Sequence, residues 1–150
     1  MFQVSIVIKN FQKKIQINSE IKRKIKSCVL KTFSLEGIRN TDFEITICLL
    51  NNRQIREFNL MYLAKDYPTD VIAFNLGPYK SKTKNILADI LVSTDAAFSN
   101  AKIFNTTPLY ELCLYVAHGM LHIFGYDDKT IQQSKVMEER SRCILRDLLK

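Results

Sequence analysis

The sequence predicts an α+β domain in which about four strands form one mixed sheet and about five helices pack against it. Several short segments alternate apolar and polar residues, as half-buried strands do, and between them apolar residues recur every three or four positions, as in amphipathic helices. A length of 150 residues suits one domain with an ordinary core. Because no repeat, linker or low-complexity stretch divides the chain, we expect a single domain over residues 1–150.

The chain begins with a predicted strand and a predicted helix. Residues 2–8 alternate loosely between apolar and polar side chains, which is typical of a strand. Ser19 is a suitable N-cap, because its hydroxyl can accept a hydrogen bond from a free backbone N–H of the first helical turn. Apolar positions then share one helix face as far as about Phe33, so we expect a helix over 19–33.

A second strand and a second helix follow. Residues 43–49 alternate strictly between apolar and polar side chains and predict a strand. Asn51 or Asn52 can cap the next helix. Three residues of that helix are expected to face inward: Ile55, Phe58 and Tyr62.

A β-hairpin is predicted in the middle of the chain. Pro68 ends the preceding helical pattern, and residues 70–74 form an apolar run typical of a strand. A Gly-Pro pair at 77–78 and the basic segment 79–84 separate this run from a second apolar run at 86–92. We therefore expect two strands joined by a basic tip.

Two helices are predicted after the hairpin. Thr94 or Asp95 can cap a short helix that ends at about Phe104. The Thr-Pro pair at 107–108 starts the next helix with a hydroxyl cap, followed by a ring that fits the first turn. This helix should run to about Phe124, and its many apolar residues predict that it is central and largely buried.

A last helix is predicted at the C-terminal end. Thr130 and Gln133 have the spacing of a capping box, in which each side chain bonds to the backbone of the other residue. The helical pattern continues to about Leu149.

Composition and charge limit the class of protein. The net charge of +7 and the basic runs at 21–26 and 79–84 favour a polyanionic partner, although no RRM or KH signature accompanies them. The four cysteines are scattered without a CxxC pair, which favours buried, reduced thiols. No apolar run approaches the ~20 residues of a membrane span, and the first residues do not have the pattern of an export signal. We expect a cytoplasmic protein with no membrane partner.

The most informative segment is HGMLHIFGYDD at 118–128, which contains the only two histidines. His118 and His122 are four residues apart, so on a helix both imidazoles share one face. Gly125 can end the helix in a left-handed conformation, and the chain would then bring Asp128 back towards the imidazoles. Two imidazoles and one carboxylate form a ligand set that suits zinc, with a fourth position left to water.

Neighbouring residues leave alternatives open. Asp127 is a candidate to orient an imidazole or to replace Asp128 as the third ligand, whereas Tyr126 is expected to pack. Gly119 stands where metzincin proteases of the HExxHxxGxxH type have their catalytic glutamate, and this disfavours peptide hydrolysis. Glu111 shares the helix face of the histidines, and we expect it to have a solvent, capping or supporting role.

The segment 118–128 resembles the HGxLHLxGYDH signature of the YbeY family of metal-dependent endoribonucleases, which act in ribosomal RNA maturation. Residues 65–74, KDYPTDVIAF, look like the family's KDxPTDVLSF segment, and 87–93 look like its GDIxIS strand. Residues 111–118 are similar to the helix that leads into the ligands. The matching segments occur in the family's order and span most of residues 43–128.

The resemblance implies that His118, His122 and Asp128 are the metal ligands and the catalytic centre, carried by a central helix and the turn that follows it. It also implies one zinc ion and a single-stranded RNA substrate. The family has a third histidine where this chain has Asp128, and the added negative charge weakens the metal as a Lewis acid and makes another divalent ion an alternative. The family also has an arginine at the position of Leu63.

Other side chains near this segment are candidates for supporting roles. Three cations could substitute for the family arginine: Lys65, Arg56 and Arg53. Thr69 and Asp70 are expected to shape the turn into the strand, with a role in the site as the alternative.

Three functional hypotheses follow. The first is a metal-dependent, single-strand-specific endoribonuclease acting in ribosomal RNA maturation and ribosome assembly. The second is a ribosome-associated assembly factor that binds RNA or a ribosomal subunit protein and has weak or no nuclease activity. The third is another zinc metallohydrolase. The sequence leaves the oligomeric state open.

Overall fold

A computed structural model describes residues 2–77, 86–146 and 148 of the chain. No helix in this part of the chain is long and apolar enough to cross a membrane. The elements within it are, in chain order, β1 (Val4–Asn10), α1 (Ser19–Leu35), β2 (Phe43–Leu50), α2 (Asn52–Leu63), β3 (Val71–Asn75), β4 (Ile86–Ser93), α3 (Thr94–Phe104), α4 (Pro108–Ile123) and α5 (Ile131–Leu145).

The strands form one mixed sheet in the order β1-β2-β4-β3. β1 and β4 both pair with β2 in parallel, and β3 pairs with β4 in antiparallel orientation at one edge. The predicted α+β class and the predicted hairpin of β3 and β4 are therefore confirmed. The basic segment predicted at the hairpin tip, 79–84, lies outside the described residues.

The two faces of the sheet are covered unequally. The main core lies between one face of the sheet and helices α1, α4 and α5, and it buries the alternating apolar residues of β2. α2 covers part of the other face, over a smaller cluster formed by Leu50, Ile55, Ile72 and Leu91. The prediction that α4 is central is confirmed, since it contacts α1, α3, α5, β3 and β4.

A glycine sets the distance between α4 and the sheet. Gly119 is buried, and a Cβ atom built at this position would lie 2.7 Å from Cγ2 of Ile90 in β4. Ile90 is fully buried, so its methyl group has little room to move away. The helix that contains both histidines can therefore lie this close to β4 only because residue 119 has no side chain.

Helix caps explain where several elements begin. Asn51, Thr107 and Thr130 cap α2, α4 and α5, as predicted, and the capping box of α5 is present. The N-cap of α1 is Asn18 and not Ser19, because the Asn18 side chain accepts a hydrogen bond from the Ile21 backbone N–H. The N-cap of α3 is Ser93, which also ends β4, and not Thr94 or Asp95.

The prediction for the inward face of α2 is only partly right. Ile55 is fully buried, but Phe58 is 37% exposed and Tyr62 is 59% exposed. Asn59 is buried instead, because its side-chain amide donates a hydrogen bond of 2.9 Å to the carbonyl of Tyr67. α2 covers only part of the sheet, so the Phe58 and Tyr62 rings stack on each other at its margin.

The four cysteines are free thiols. Cys28 and Cys113 are buried as predicted, whereas Cys48 and Cys143 are partly exposed. A hydrogen bond within the Cys28–Cys113 pair, together with burial, keeps the pKa of Cys28 well above its usual value.

Candidate metal centre

The end of α4 turns the chain back on itself, as the sequence predicts. Gly125 has a φ of +97°, a conformation that glycine adopts without steric cost. Its N–H donates to the His122 carbonyl at 3.0 Å, and the N–H of Tyr126 donates to the Leu121 carbonyl at 3.0 Å. This pair of hydrogen bonds is a Schellman motif, and it fixes the direction of the following residues relative to α4.

Tyr126 fixes the returning loop to two helices. Its hydroxyl donates to the carboxylate of Glu36, with oxygen–oxygen distances of 2.9 and 3.0 Å, and accepts from Arg140 Nε at 3.2 Å. Arg140 also pairs with Glu36 at 3.2 Å. The expectation that Tyr126 only packs is therefore incomplete. No sequence pattern indicated this network, because Glu36 is 90 residues away from Tyr126.

His118 lies on the more buried side of α4. Its Nε2 atom is buried and has no hydrogen-bond partner among the described residues. Burial lowers the pKa of His118 because it disfavours the charged imidazolium, although the negative charges of Asp70, Asp128 and Glu138 act in the opposite direction. The neutral imidazole is the form that binds metal ions.

His122 has one nitrogen fixed by the backbone. Its Nδ1 lies 3.1 Å from the carbonyl oxygen of Tyr126. A carbonyl only accepts hydrogen bonds, so Nδ1 must be the protonated nitrogen. In the neutral imidazole, the lone pair is then on Nε2, which lies 3.8 Å from Oδ2 of Asp128.

The two aspartates after the turn have different environments. Asp127 Oδ1 accepts a hydrogen bond of 2.8 Å from the Asp128 backbone N–H, and its Oδ2 lies 3.7 Å from Lys129 Nζ. The Asp127 carboxylate is therefore occupied within its own loop. Asp128, in contrast, faces His122 and lines the cleft that contains His118. The side chain of Asp128 is 56% exposed and has room to rotate.

The residues present fit a divalent ion by their chemistry, although they are not assembled around one. Among the described residues, no three His, Cys, Asp or Glu side chains stand close enough together to hold a metal. An unpartnered buried nitrogen on His118 is nevertheless unusual, because buried polar atoms nearly always have a partner. With His122 Nε2 and Asp128, it supplies the two-imidazole, one-carboxylate donor set of a catalytic zinc site.

The cleft on the His118 side is acidic. It has a volume of about 420 Å³, and its carboxylates come from four residues: Asp70, Glu111, Asp128 and Glu138. Glu111 is only 2% exposed, so the expectation of a solvent role is wrong. Burial raises the pKa of Glu111, and the negative charge of Asp70 raises it further. Asp70 also bonds to the Val71 N–H at 2.8 Å, so it shapes the turn and faces the cleft.

A buried tyrosine lines the same cleft. The Tyr115 hydroxyl accepts a hydrogen bond of 2.7 Å from the Asn100 side chain. Burial raises the pKa of Tyr115 to about 12, while the hydrogen bond from Asn100 acts against this shift. Tyr115 lies on the same face of α4 as the histidines, and its hydroxyl extends that face into the cleft.

The cleft on the His122 side differs in charge. It has a volume of about 340 Å³ and is lined by His122, by the edge strand β3, by Leu63 at the end of α2 and by Lys65 and Tyr67, which follow that helix. Of the three cations considered from sequence, only Lys65 lines this cleft. Arg56 is bound to Asp66 at 2.7 Å, and Arg53 faces Glu57 at 3.7 Å.

Comparison with known proteins gives a consistent result. A sequence model described as Endoribonuclease YbeY matches residues 7–149. A relative of that name from Alkaliphilus metalliredigens is 27% identical over 149 residues, which cover 97% of this chain and 96% of that protein. Another from Syntrophus aciditrophicus is 36% identical over 126 residues, covering 83% of this chain and 76% of that protein.

A solved structure shows the same fold. The solution structure of a Thermotoga maritima protein superimposes with a TM-score of 0.61 and 28% sequence identity. The superposition covers 95% of this chain and 88% of that one. The family match spans nearly the whole chain, and it includes both histidines, the turn after them and the strands against which α4 packs. The chain belongs to the YbeY endoribonuclease family.

Proposed function

We propose that this chain is a cytoplasmic, metal-dependent endoribonuclease that cleaves single-stranded RNA during ribosomal RNA maturation and ribosome assembly. Membership of the YbeY family supports the nuclease activity, since its relatives bear the name endoribonuclease. The net charge of +7 supports a polyanionic substrate.

The observation that carries this proposal is the pair of available imidazole nitrogens. His118 Nε2 is buried and has no hydrogen-bond partner among the described residues, and in the neutral tautomer of His122 the lone pair is on Nε2, next to Asp128. We propose that His118, His122 and Asp128 hold one zinc ion or a similar divalent ion. When bound, such an ion supplies Lewis-acid chemistry, by neutralising charge on a phosphate oxygen or by lowering the pKa of a water.

The protein's own residues position this centre. The Schellman motif at Gly125 and the hydrogen bonds of Tyr126 hold the loop that contains Asp128 against α1 and α5. Burial lowers the pKa of His118 and so favours the neutral imidazole, which is the form that donates a lone pair to a metal. Gly119 packs against Ile90, so a side chain at this position would face β4.

We assign the long-range attraction of RNA to basic residues outside the candidate metal centre. Lys22 and Lys26 are exposed on α1, whereas Lys24 Nζ donates to the carbonyl of Leu148 at 3.1 Å. The second basic run, 79–84, lies outside the described residues and stays a prediction from sequence.

The proposal is tested by His118→Ala and His122→Ala. Both variants should lose bound metal, measured by inductively coupled plasma mass spectrometry, and both should lose cleavage of a labelled single-stranded RNA. Circular dichroism and the melting temperature control for folding. A folded variant of either kind that retains stoichiometric metal would contradict the ligand assignment.

One alternative function has a specific observation in its favour. A ribosome-associated assembly factor that binds RNA or a ribosomal subunit protein is favoured by two departures from the family pattern, namely Asp128 in place of the third histidine and Leu63 in place of the arginine. Robust cleavage of RNA by the wild-type protein that a chelator abolishes would exclude this alternative. A peptide-cleaving metallohydrolase is disfavoured, because position 119 has no room for a general base.

A further inference from the structure

We propose that the cleft on the His122 side is a nucleotide subsite, in which the Tyr67 ring stacks on an unpaired base and Lys65 binds the neighbouring phosphate. This inference rests on the proposed function, because it takes single-stranded RNA as the substrate. It adds two binding residues outside the candidate metal centre. Both residues line the same cleft as His122.

The segment that carries these side chains is fixed to α2. The Lys65 N–H donates to the Asn59 carbonyl at 3.2 Å, and the Asn59 side-chain amide donates to the Tyr67 carbonyl at 2.9 Å. Between them, Asp66 is bound by Arg56 at 2.7 Å. Asn59 is only 2% exposed, so the anchor is itself part of the packed interior. A binding segment that is ordered in advance loses less conformational entropy when it binds.

Both side chains are available to a ligand. Lys65 is exposed and has no ion-pair or hydrogen-bond partner for its ammonium group within residues 2–77, 86–146 and 148. Tyr67 is 53% exposed, although an aromatic ring of this size usually buries more of its surface. An exposed ring beside an unpaired cation is the combination that binds single-stranded nucleic acid, since the ring stacks on bases and the cation binds phosphate.

The edge of the sheet adds polar backbone groups to this cleft. Ser93 N–H donates to the Asp70 carbonyl, and Leu76 N–H donates to the Leu87 carbonyl. Residues of β3 alternate between facing β4 and facing away, so these two bonds place the N–H and carbonyl of Ala73 on the side away from β4. Ala73 lines the cleft, where these groups can bond to the edge of a base.

The charges of the two clefts indicate on which side of the candidate metal centre the RNA backbone lies. The opposite cleft contains the carboxylates of Asp70 and Glu111, whereas the carboxylate of Glu138 pairs with Arg142 of the same cleft. The carboxylates without such a cation repel phosphate. Lys65 lies on the His122 side, and none of the described carboxylates pairs with it. We therefore place the RNA backbone on the His122 side, with its bases towards Tyr67.

The test uses the full chain and two 12-nucleotide single strands, an oligouridylate and a matching strand of abasic nucleotides, with binding followed by fluorescence anisotropy in a chelator. The variants are Lys65→Gln, Tyr67→Leu and the conservative Tyr67→Phe. Lys13→Gln is the matched control, since it removes one exposed positive charge from a residue that lines neither cleft. Melting temperatures control for folding.

Each variant has its own expected signature. Lys65→Gln should weaken binding of both strands and reduce the slope of log affinity against log salt by roughly 0.7, the value for one phosphate contact on a single strand. Tyr67→Leu should weaken oligouridylate binding about tenfold and leave the abasic strand unchanged, because only a base can stack. Tyr67→Phe and Lys13→Gln should bind oligouridylate within about twofold of the wild type.

Two results would overturn the subsite. One is wild-type affinity for oligouridylate in both Lys65→Gln and Tyr67→Leu. The other is an equal loss on both strands in Tyr67→Leu, because that loss would not depend on a base. Failure of the proposed function is a separate result, namely a wild-type protein that binds oligouridylate through these residues but cuts no RNA with any divalent metal.

Discussion

The two histidines lie one helical turn apart, yet they face different surroundings. On the His118 side, the cleft is acidic, and the buried imidazole nitrogen has no hydrogen-bond partner in the part of the chain that the structure describes. On the His122 side, the cleft contains an exposed tyrosine and a lysine that forms no ion pair with any described residue, and the imidazole is oriented by a backbone carbonyl. One helix therefore presents one imidazole to an acidic cleft and the other to a cleft whose lining includes a lysine and no carboxylate.

Asp128 is the carboxylate shared by the two sides, and its replacement should have the largest effect. Asp128→Ala should lower zinc affinity by about 100-fold or more, because removal of a ligand should exceed the 10–100-fold loss typical of residues that only orient ligands. Asp127→Ala is the matched control, since its carboxylate is occupied within the loop. Calorimetric titration with zinc measures both variants.

A larger loss of zinc affinity in Asp127→Ala than in Asp128→Ala would identify Asp127 as the third ligand. In that case the loop would have to rearrange when metal binds, and the comparison of the two sides would have to be revised.

Both sides depend on the close approach of α4 to β4, so a side chain at residue 119 should disturb them together. Gly119→Ala should lower the free energy of unfolding by about 1–3 kcal/mol, because overpacking against Ile90 outweighs the better helix propensity of alanine. Urea denaturation measures the loss.

A double-mutant cycle locates the cause of this effect. Ile90→Ala removes the methyl group that the new Cβ would meet, so Gly119→Ala should cost less in the Ile90→Ala background. An identical cost in both backgrounds would show that the contact does not set the distance between α4 and β4.

A substitution of Tyr126 tests whether its hydrogen bonds are needed to hold the loop that places Asp128 between the two sides. Tyr126→Phe removes the hydrogen bonds to Glu36 and Arg140, so it should cost about 1 kcal/mol of stability and about tenfold in zinc affinity. Tyr110→Phe is the control, because the described residues offer its hydroxyl no hydrogen-bond partner. Equal effects of the two substitutions would exclude a specific role for the Tyr126 network.

The smallest expected effect concerns pH on the acidic side. The raised pKa of Glu111 means that the folded state binds the carboxyl proton more tightly than the unfolded state. This contribution to stability is present below the usual carboxyl pKa of about 4.3 and is lost as pH rises through the raised value. Glu111→Gln should therefore gain in melting temperature relative to the wild type between pH 4 and pH 7. A difference in melting temperature between Glu111→Gln and the wild type that stays constant with pH would contradict the raised pKa of Glu111.

Local features of the site were predictable from sequence. The spacing of His118 and His122, the turn at Gly125 and the cap at Thr107 depend on residues close together in the chain. The sheet and most helices followed from periodicity for the same reason. The sequence left both Asp127 and Asp128 as candidates for the third ligand, and the contacts of the two side chains favour Asp128.

Features that depend on distant contacts were not predictable. Tyr126 meets Glu36 across 90 residues, and no local period encodes this contact. Asn59 was missed because its amide is buried against the Tyr67 carbonyl, so a polar residue takes an inward position of α2. The opposite charges of the two clefts also depend on tertiary packing, which brings Asp70 of the β3 turn next to α4.

The central claim is that His118, His122 and Asp128 hold the metal on which RNA cleavage depends. Its most direct test is the cleavage rate of a labelled single-stranded RNA by protein that has been stripped with a chelator and then given one equivalent of zinc or another divalent ion. We predict that the stripped protein cuts no RNA, that one equivalent restores the wild-type rate, and that His118→Ala stays inactive. Undiminished cleavage by the stripped protein would contradict the account.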